Sequence, residues 1–401
     1  MAKASLSNLR AVVIVIVLAF HSALAYLASS PSANSAFDQA PYQWQTFPIV
    51  DTHRWLGFDV FCAWQDVSLM SLMFFLSGLF APGSLLRKGG GPYVADRLLR
   101  IGLPFLLAVI SLSPLSYFPA YLVRTADPSF VGFWTQWISL PFWPSGPQWF
   151  LWQLLVANLL GAGLYAVWPG SIARLSRLGS WAGTRPLKFF VLFAAASALA
   201  YIPLALSFSP WTWKAVGPFS LQLCRPAHYI VYFFTGFALG SYGLDRGLLA
   251  RDGPLAPMWW AWLLAALASF GAWAGFTSLT LPDWNKAATA IQLAASLAFP
   301  LACAAGGLSL LAVCLRYGAA RRLRILDSLS ANAYSIYLVH YVFVVWLQYE
   351  LLDSGLFAVA KMAIVLTGTL IMSWATSAAF DRLIAARQVV GVKRAISPIP
   401  R

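Results

Sequence analysis

The chain has 401 residues, 60% of them hydrophobic and only 10% charged, with a mean hydropathy of +0.71. An average soluble domain is about 25% charged, so this composition excludes a soluble globular domain and predicts an all-α bundle that crosses a membrane many times. The formal charge of +14 does not indicate a nucleic-acid partner, because that footprint needs a solvated domain to display it; the charge reads as membrane topology.

Nineteen Trp, 28 Phe and 15 Tyr suit the same class, since amphipathic rings collect at both headgroup layers. The four cysteines, Cys62, Cys224, Cys303 and Cys314, form no CxxC pair and no zinc spacing, so no metal site is expected. A Cys62–Cys224 disulfide stays open at this stage.

Apolar windows of about 18 to 25 residues cross roughly 30 Å of hydrocarbon. Ten such spans are predicted, near 9–29, 66–83, 98–120, 148–168, 187–207, 226–243, 257–278, 287–313, 329–349 and 356–378. The second is short, and the eighth is interrupted by Pro300 and Gly306-Gly307. The expected organisation is one membrane domain over 1–380 and a short basic tail over 381–401, containing Pro398 and Pro400 and too small for a second core.

Placing both termini and every second loop on one side gathers 21 of the 27 basic residues there, including Lys3, Arg10, Arg87, Lys88, the cluster Arg321, Arg322 and Arg324, and Arg401. The opposite side keeps Arg54, Arg124, Lys214, Arg225, Lys286 and Lys361, so the positive-inside rule puts both termini in the cytoplasm.

The first span carries Arg10 and His21, eleven positions apart. That spacing returns to one helical face within about 20°, with roughly 16 Å of rise between the two. Arg10 reads as a snorkelling anchor. His21 reads either as a hydrogen-bonded bundle residue or as a functional group, because an ionisable side chain inside the bilayer is costly. Lys3 and Arg10 ahead of an apolar core, with Ala23-Leu24-Ala25, also imitate a cleaved signal peptide; a retained helix is expected, since it gives Arg10 and His21 a purpose. The segment from about 30 to 65 is rich in Ser, Pro, Gln and aromatics and is placed to cap the outer mouth.

In the second span Ser77-Gly78 supplies small residues where backbones can approach. Gly89 to Gly91 then make a basic turn with Arg87 and Lys88, and Arg97 and Arg100 follow three positions apart on one face. Two guanidiniums so placed suit phosphate oxygens; ordinary topological charge is the plainer reading. In the ninth span His340 lies about sixteen residues after Arg324, and some eleven into the apolar part, at a depth of roughly 16 Å that matches His21. Tyr334, Tyr337 and Tyr341 share its face, each reading individually as packing.

Taken together, the R-x10-H spacing of Arg10 and His21, FFLSG at 74–78, RLLRIGLPF at 97–105, PQWFLWQLL at 147–155 and YSIYLVH at 334–340 resemble the acyltransferase-3 family of integral-membrane acyltransferases. The likeness spans nearly the whole chain. SGLFAPGSLLRKGG at 77–90 looks most similar to the glucan succinyltransferase-like branch.

The resemblance implies a multi-pass enzyme of the bacterial plasma (inner) membrane. It would move an acetyl or succinyl group from cytoplasmic acyl-CoA to a hydroxyl of a carbohydrate or glycan, with no permanently bound cofactor. His21 would be the general base or a transiently acylated residue. His340 and Tyr337 would orient His21 or polarise the thioester carbonyl. Arg10, Arg97, Arg100 and Ser77 would hold CoA. Trp149, Asp66, Arg225 and His228 would meet the acceptor, although Trp149 also reads as an interfacial anchor and His228 as structural. Where commoner members have an acidic residue just before FF, this chain has SLMSLMFF with Asp66 further upstream, so the acidic partner of His21 is left open. Membrane lipids are the other expected partners, and the oligomeric state is undetermined.

A reading from a different class is a proton-coupled transporter or flippase of a small polar or lipid-linked substrate, which also uses intramembrane ionisable residues. The internal repeat common in such proteins is not visible here.

Overall fold

Lipid offers backbone N–H and C=O groups no partner, so apolar segments of this length must satisfy them internally as helices. The computed structural model describes residues 2–32, 36–281, 283–318 and 324–396. Arg321 and Arg322 of the expected basic cluster, and Pro398, Pro400 and Arg401 of the expected tail, lie outside them.

In chain order the elements are α1 (Ala2–Ala23), α2 (Leu56–Lys88), α3 (Gly90–Arg124), α4 (Phe130–Ser139), α5 (Trp149–Val167), α6 (Ser171–Thr184) and α7 (Pro186–Phe208). The strands β1 (Trp213–Val216) and β2 (Phe219–Gln222) form an antiparallel hairpin. Then come α8 (Pro226–Tyr242), α9 (Trp259–Ser278), α10 (Thr289–Tyr317), α11 (Arg324–Glu350) and α12 (Ala358–Ile396).

Among the described residues nine helices are long and apolar enough to cross a membrane. The tenth predicted span is α8, a helix of 17 residues that falls short of the usual ~20 and packs against α2, α6 and α7. The chain is thus an all-α, multi-pass membrane protein.

Two expectations change. The second span is not short: α2 has 33 residues, because its outer turns bury Gln65 and Ser68, polar positions that a hydropathy window discards. Nor is the eighth span interrupted. Helix α10 runs unbroken through Pro300 for 29 residues, and Gly306 serves close packing, since a Cβ there would lie 2.6 Å from Ser68 Oγ. Helix α12 continues past 380 to Ile396.

Glycine sets the tightest helix pair. A Cβ on Gly78 of α2 would sit 2.0 Å from the Phe233 carbonyl oxygen, and one on Gly236 of α8 would sit 2.0 Å from that of Phe75. The two backbones therefore touch through absent side chains, as small residues allow between membrane helices.

Beyond the ends of α1 and α2 lies a second, separate core. Phe37 stacks on Trp44 with centroids 4.3 Å apart, and both pack with Tyr117, Tyr121 and Phe133. The described residues of the segment 27–55 form a strap tied down by backbone and side chain. Asp51 N–H donates to the Ala25 carbonyl and Trp55 N–H to that of Tyr26, each at 2.9 Å. Arg124 donates to Pro48 O at 2.6 Å and Phe47 O at 3.2 Å. Lys361 of α12 reaches Asp51 at 2.7 Å with both side chains fully buried.

Candidate active site

The last turn of α1 carries His21 to the edge of a cavity of about 720 Å3, within the usual range for ligand sites of ~300–1,000 Å3. Helices α1, α2, α3, α5 and α11 form its walls, and the strap and the β1–β2 hairpin form its mouth. Exposed Pro41 and Gln43 of the strap face exposed Trp213 and Lys214 of the hairpin across that mouth. The opening lies on the side opposite the basic loops.

On each main wall the residue nearest the basic side is apolar or aromatic: Val17 on α1, Met70 on α2, Phe150 on α5 and Tyr337 on α11. Phe74, one turn further along α2, meets Phe150 edge-on at 5.0 Å. These side chains make a floor, and Arg10 lies beyond it, about 16 Å along α1 from His21 at the α-helical rise.

Helix α11 brings His340 to the same level as His21, as their matching depths predicted. The two rings lie 5.1 Å apart between centroids, and Tyr341 closes the other flank of His21 at 5.2 Å. His340 is fully buried, and its Nδ1–H donates to the Tyr337 carbonyl oxygen at 2.7 Å. Tyr337 departs from its expected role: its ring lines the cavity, but its hydroxyl donates to the Pro147 carbonyl oxygen, so the proton needed for an oxyanion is already committed.

Asp66 and Trp149 also line the cavity. Asp66 receives two hydrogen bonds from Arg225, at 2.8 and 2.5 Å, a bidentate geometry that is among the stronger polar contacts. Arg225 therefore acts on the site through Asp66. Trp149 stacks on Tyr229 and meets Trp213 edge-on at 5.5 Å, joining helix and hairpin in one aromatic wall.

His228 does not reach the acceptor side of the cavity, contrary to expectation. It is wholly buried and both ring nitrogens are taken, Nε2 by Ser71 Oγ and Nδ1 by Ser197 Oγ at 2.8 Å each. It ties α2, α7 and α8 together instead. Cys62 and Cys224 are free, so the disulfide left open in the sequence is not formed.

The remaining expected residues lie below the floor. Arg97 stacks on the Tyr93 ring at 4.8 Å, while Arg100 Nε and Lys88 Nζ both reach Asp96, at 2.9 and 2.8 Å. Tyr93 donates to Asn158 Oδ1 at 2.6 Å, and Asn158 donates to Ser77 Oγ at 3.4 Å. A polar path thus leads from Arg97 to Ser77, and the floor separates it from His21. Asp96, Tyr93 and Asn158 escaped the sequence reading, although Asp96 stands immediately before RLLRIGLPF. The hairpin residues escaped too; Gly217-Pro218 between two short apolar runs was the available turn signal.

The multi-pass helical bundle thus sets His21 at a cavity, with His340 buried behind it and cationic groups beyond the floor. Residues 3–378 match the family model described as an acyltransferase domain, and the chain belongs to this acyltransferase-3 family. It is a membrane acyltransferase, moving groups other than aminoacyl groups. No curated protein and no solved structure matches the chain.

Proposed function

We propose that this acyltransferase moves an acetyl or succinyl group from acyl-CoA, on the cytoplasmic side of a bacterial inner membrane, to a hydroxyl of a carbohydrate or glycan on the opposite side. The observation that carries this reading is His21 in a cavity whose mouth lies away from the basic loops.

In the reaction, His21 takes the proton from the acceptor hydroxyl as its oxygen attacks the thioester carbonyl carbon. The C–S bond then breaks, and the departing sulfur receives the proton from His21. Arg10, Arg97 and Arg100 hold the phosphates of CoA, with Ser77 along the path of the pantetheine arm, whose length suits the distance from the basic side to His21. Reaching His21 requires the floor to part. At the mouth, Trp149 offers a ring face to the sugar and Asp66 accepts from its hydroxyls, while Arg225 fixes Asp66.

The test uses purified wild-type protein and His21→Ala, incubated with radiolabelled acetyl-CoA or succinyl-CoA and a cell-envelope glycan extract. Ester-linked label in the glycan with wild type, and none with a folded His21→Ala protein that still gains thermal stability from CoA, is the expected result. No label from either donor and no stabilisation of wild type by CoA would overturn the reading.

A further inference from the structure

Two ring nitrogens at the site are buried without a hydrogen-bond partner: Nδ1 of His21 and Nε2 of His340. They belong to neighbouring rings, 5.1 Å apart between centroids and tilted by 43°. A buried polar atom left without a hydrogen bond keeps its desolvation cost, and rings this close can join the two atoms by a turn of one ring or through one water.

The protons on this pair are fixed from the far side. Nδ1 of His340 faces the Tyr337 carbonyl oxygen at 2.7 Å, and a carbonyl has only lone pairs to offer, so Nδ1 must carry the hydrogen. In the neutral ring Nε2 is then an acceptor. An acceptor beside Nδ1 of His21 calls for a donor there.

We propose that His340 is a positioning residue that locks His21 in its Nδ1–H tautomer, leaving Nε2, on the cavity side of the ring, as the lone pair that takes the acceptor's proton. The base's role rests on the acyl-transfer reading above, whereas the tautomer rests on the geometry alone. The logic is that of a triad in which a carboxylate orients the catalytic histidine, with an imidazole in the carboxylate's place. It also accounts for the acidic partner that the sequence left open: Asp66 lines the same cavity but is held by Arg225. As the hydroxyl oxygen attacks, its proton passes to Nε2, and the resulting imidazolium keeps its Nδ1–H bond to His340. When the C–S bond breaks, the proton moves from Nε2 to the thiolate.

With four histidines in the chain, 15N-histidine labelling and single substitutions assign each ring by magnetic resonance. The expected wild-type spectrum shows His21 neutral with the proton on Nδ1. His340→Phe, which keeps an aromatic ring but offers no acceptor, should return His21 to the Nε2–H form that free histidine prefers. In that variant kcat should fall by about 10^2- to 10^4-fold with the acceptor KM within about threefold of wild type. His340→Gln, which restores an acceptor, should recover the Nδ1–H signal and much of the rate. An Nε2–H His21 in wild type, or a tautomer unmoved by His340→Phe, overturns the proposal whatever the activity. An Nδ1–H signal without any acyl transfer keeps the tautomer lock and overturns the base's role.

Discussion

At Asp66 and Arg225 two guanidinium N–H groups meet two carboxylate oxygens, with the Arg225 side chain 3% exposed and that of Asp66 34% exposed. A buried cation that loses its counter-ion keeps its desolvation cost and loses its compensation. Asp66→Asn should therefore destabilise the protein by about 3 kcal/mol, the lower end for a broken buried pair because Asp66 is partly wet. Thermal unfolding in detergent reads this, and Asp66→Leu combined with Arg225→Met should recover part of the loss. An unchanged midpoint in Asp66→Asn would show that Arg225 has no need of that carboxylate. Sequence reasoning named both residues but not the bond, since the partners stand 159 positions apart and only the fold reveals that their charges are spent on each other. At His228 the same limit left an acceptor role and a structural one side by side, because the two serines that satisfy the ring stand on other helices.

Periodicity and depth made much of the helical scaffold legible. His21 and His340 could be placed at one level because each lies about eleven residues into the apolar part of its span, and helices convert residue counts into distance with little freedom. Close approach at Gly78 was readable from its small size. Its counterpart was readable as well, since Gly236 and Gly240 of α8 form G-x-x-x-G, the pattern that lets membrane helices touch. What no single element could disclose was length where polar residues are buried, as in α2, or continuity through a proline, as in α10. The α2–α8 contact makes a firm prediction. Gly78→Ala places a Cβ against the Phe233 backbone and should cost about 1–3 kcal/mol by overpacking, read as a lower unfolding temperature. Gly78→Leu should abolish the monodisperse peak in size-exclusion chromatography, and a normal peak would mean the helices separate without penalty.

Across the whole molecule, the strap converts an open bundle into a bounded site. Asp51 and Lys361 are 310 positions apart and both wholly buried, so this pair links the first loop to the last helix. Lys361→Met leaves Asp51 with only its contacts to His53; it should cost about 3 kcal/mol, the lower end for a broken buried pair, and should loosen the strap, read as faster proteolytic cleavage between residues 30 and 55. Adding Asp51→Leu should slow that cleavage again; equal rates in all three proteins would detach the pair from the strap's stability. Such long-range closure is invisible to hydropathy, which sees Asp51 and Lys361 only as isolated charges in separate segments.

The floor beneath His21 has an electrical consequence. An aqueous cavity above and polar groups below leave Val17, Met70, Phe150 and Tyr337 as a thin insulating layer, across which much of a transmembrane voltage must drop. Moving one elementary charge through the full potential is worth about 2.3 kcal/mol per 100 mV. In the proposed reaction an acetyl group would pass such a layer without charge, whereas a succinyl group would carry its carboxylate through it, assisted when the donor side is negative. In proteoliposomes with an imposed potassium diffusion potential, acetyl transfer should be indifferent to voltage and succinyl transfer should rise with it, so the membrane potential itself distinguishes the two donors.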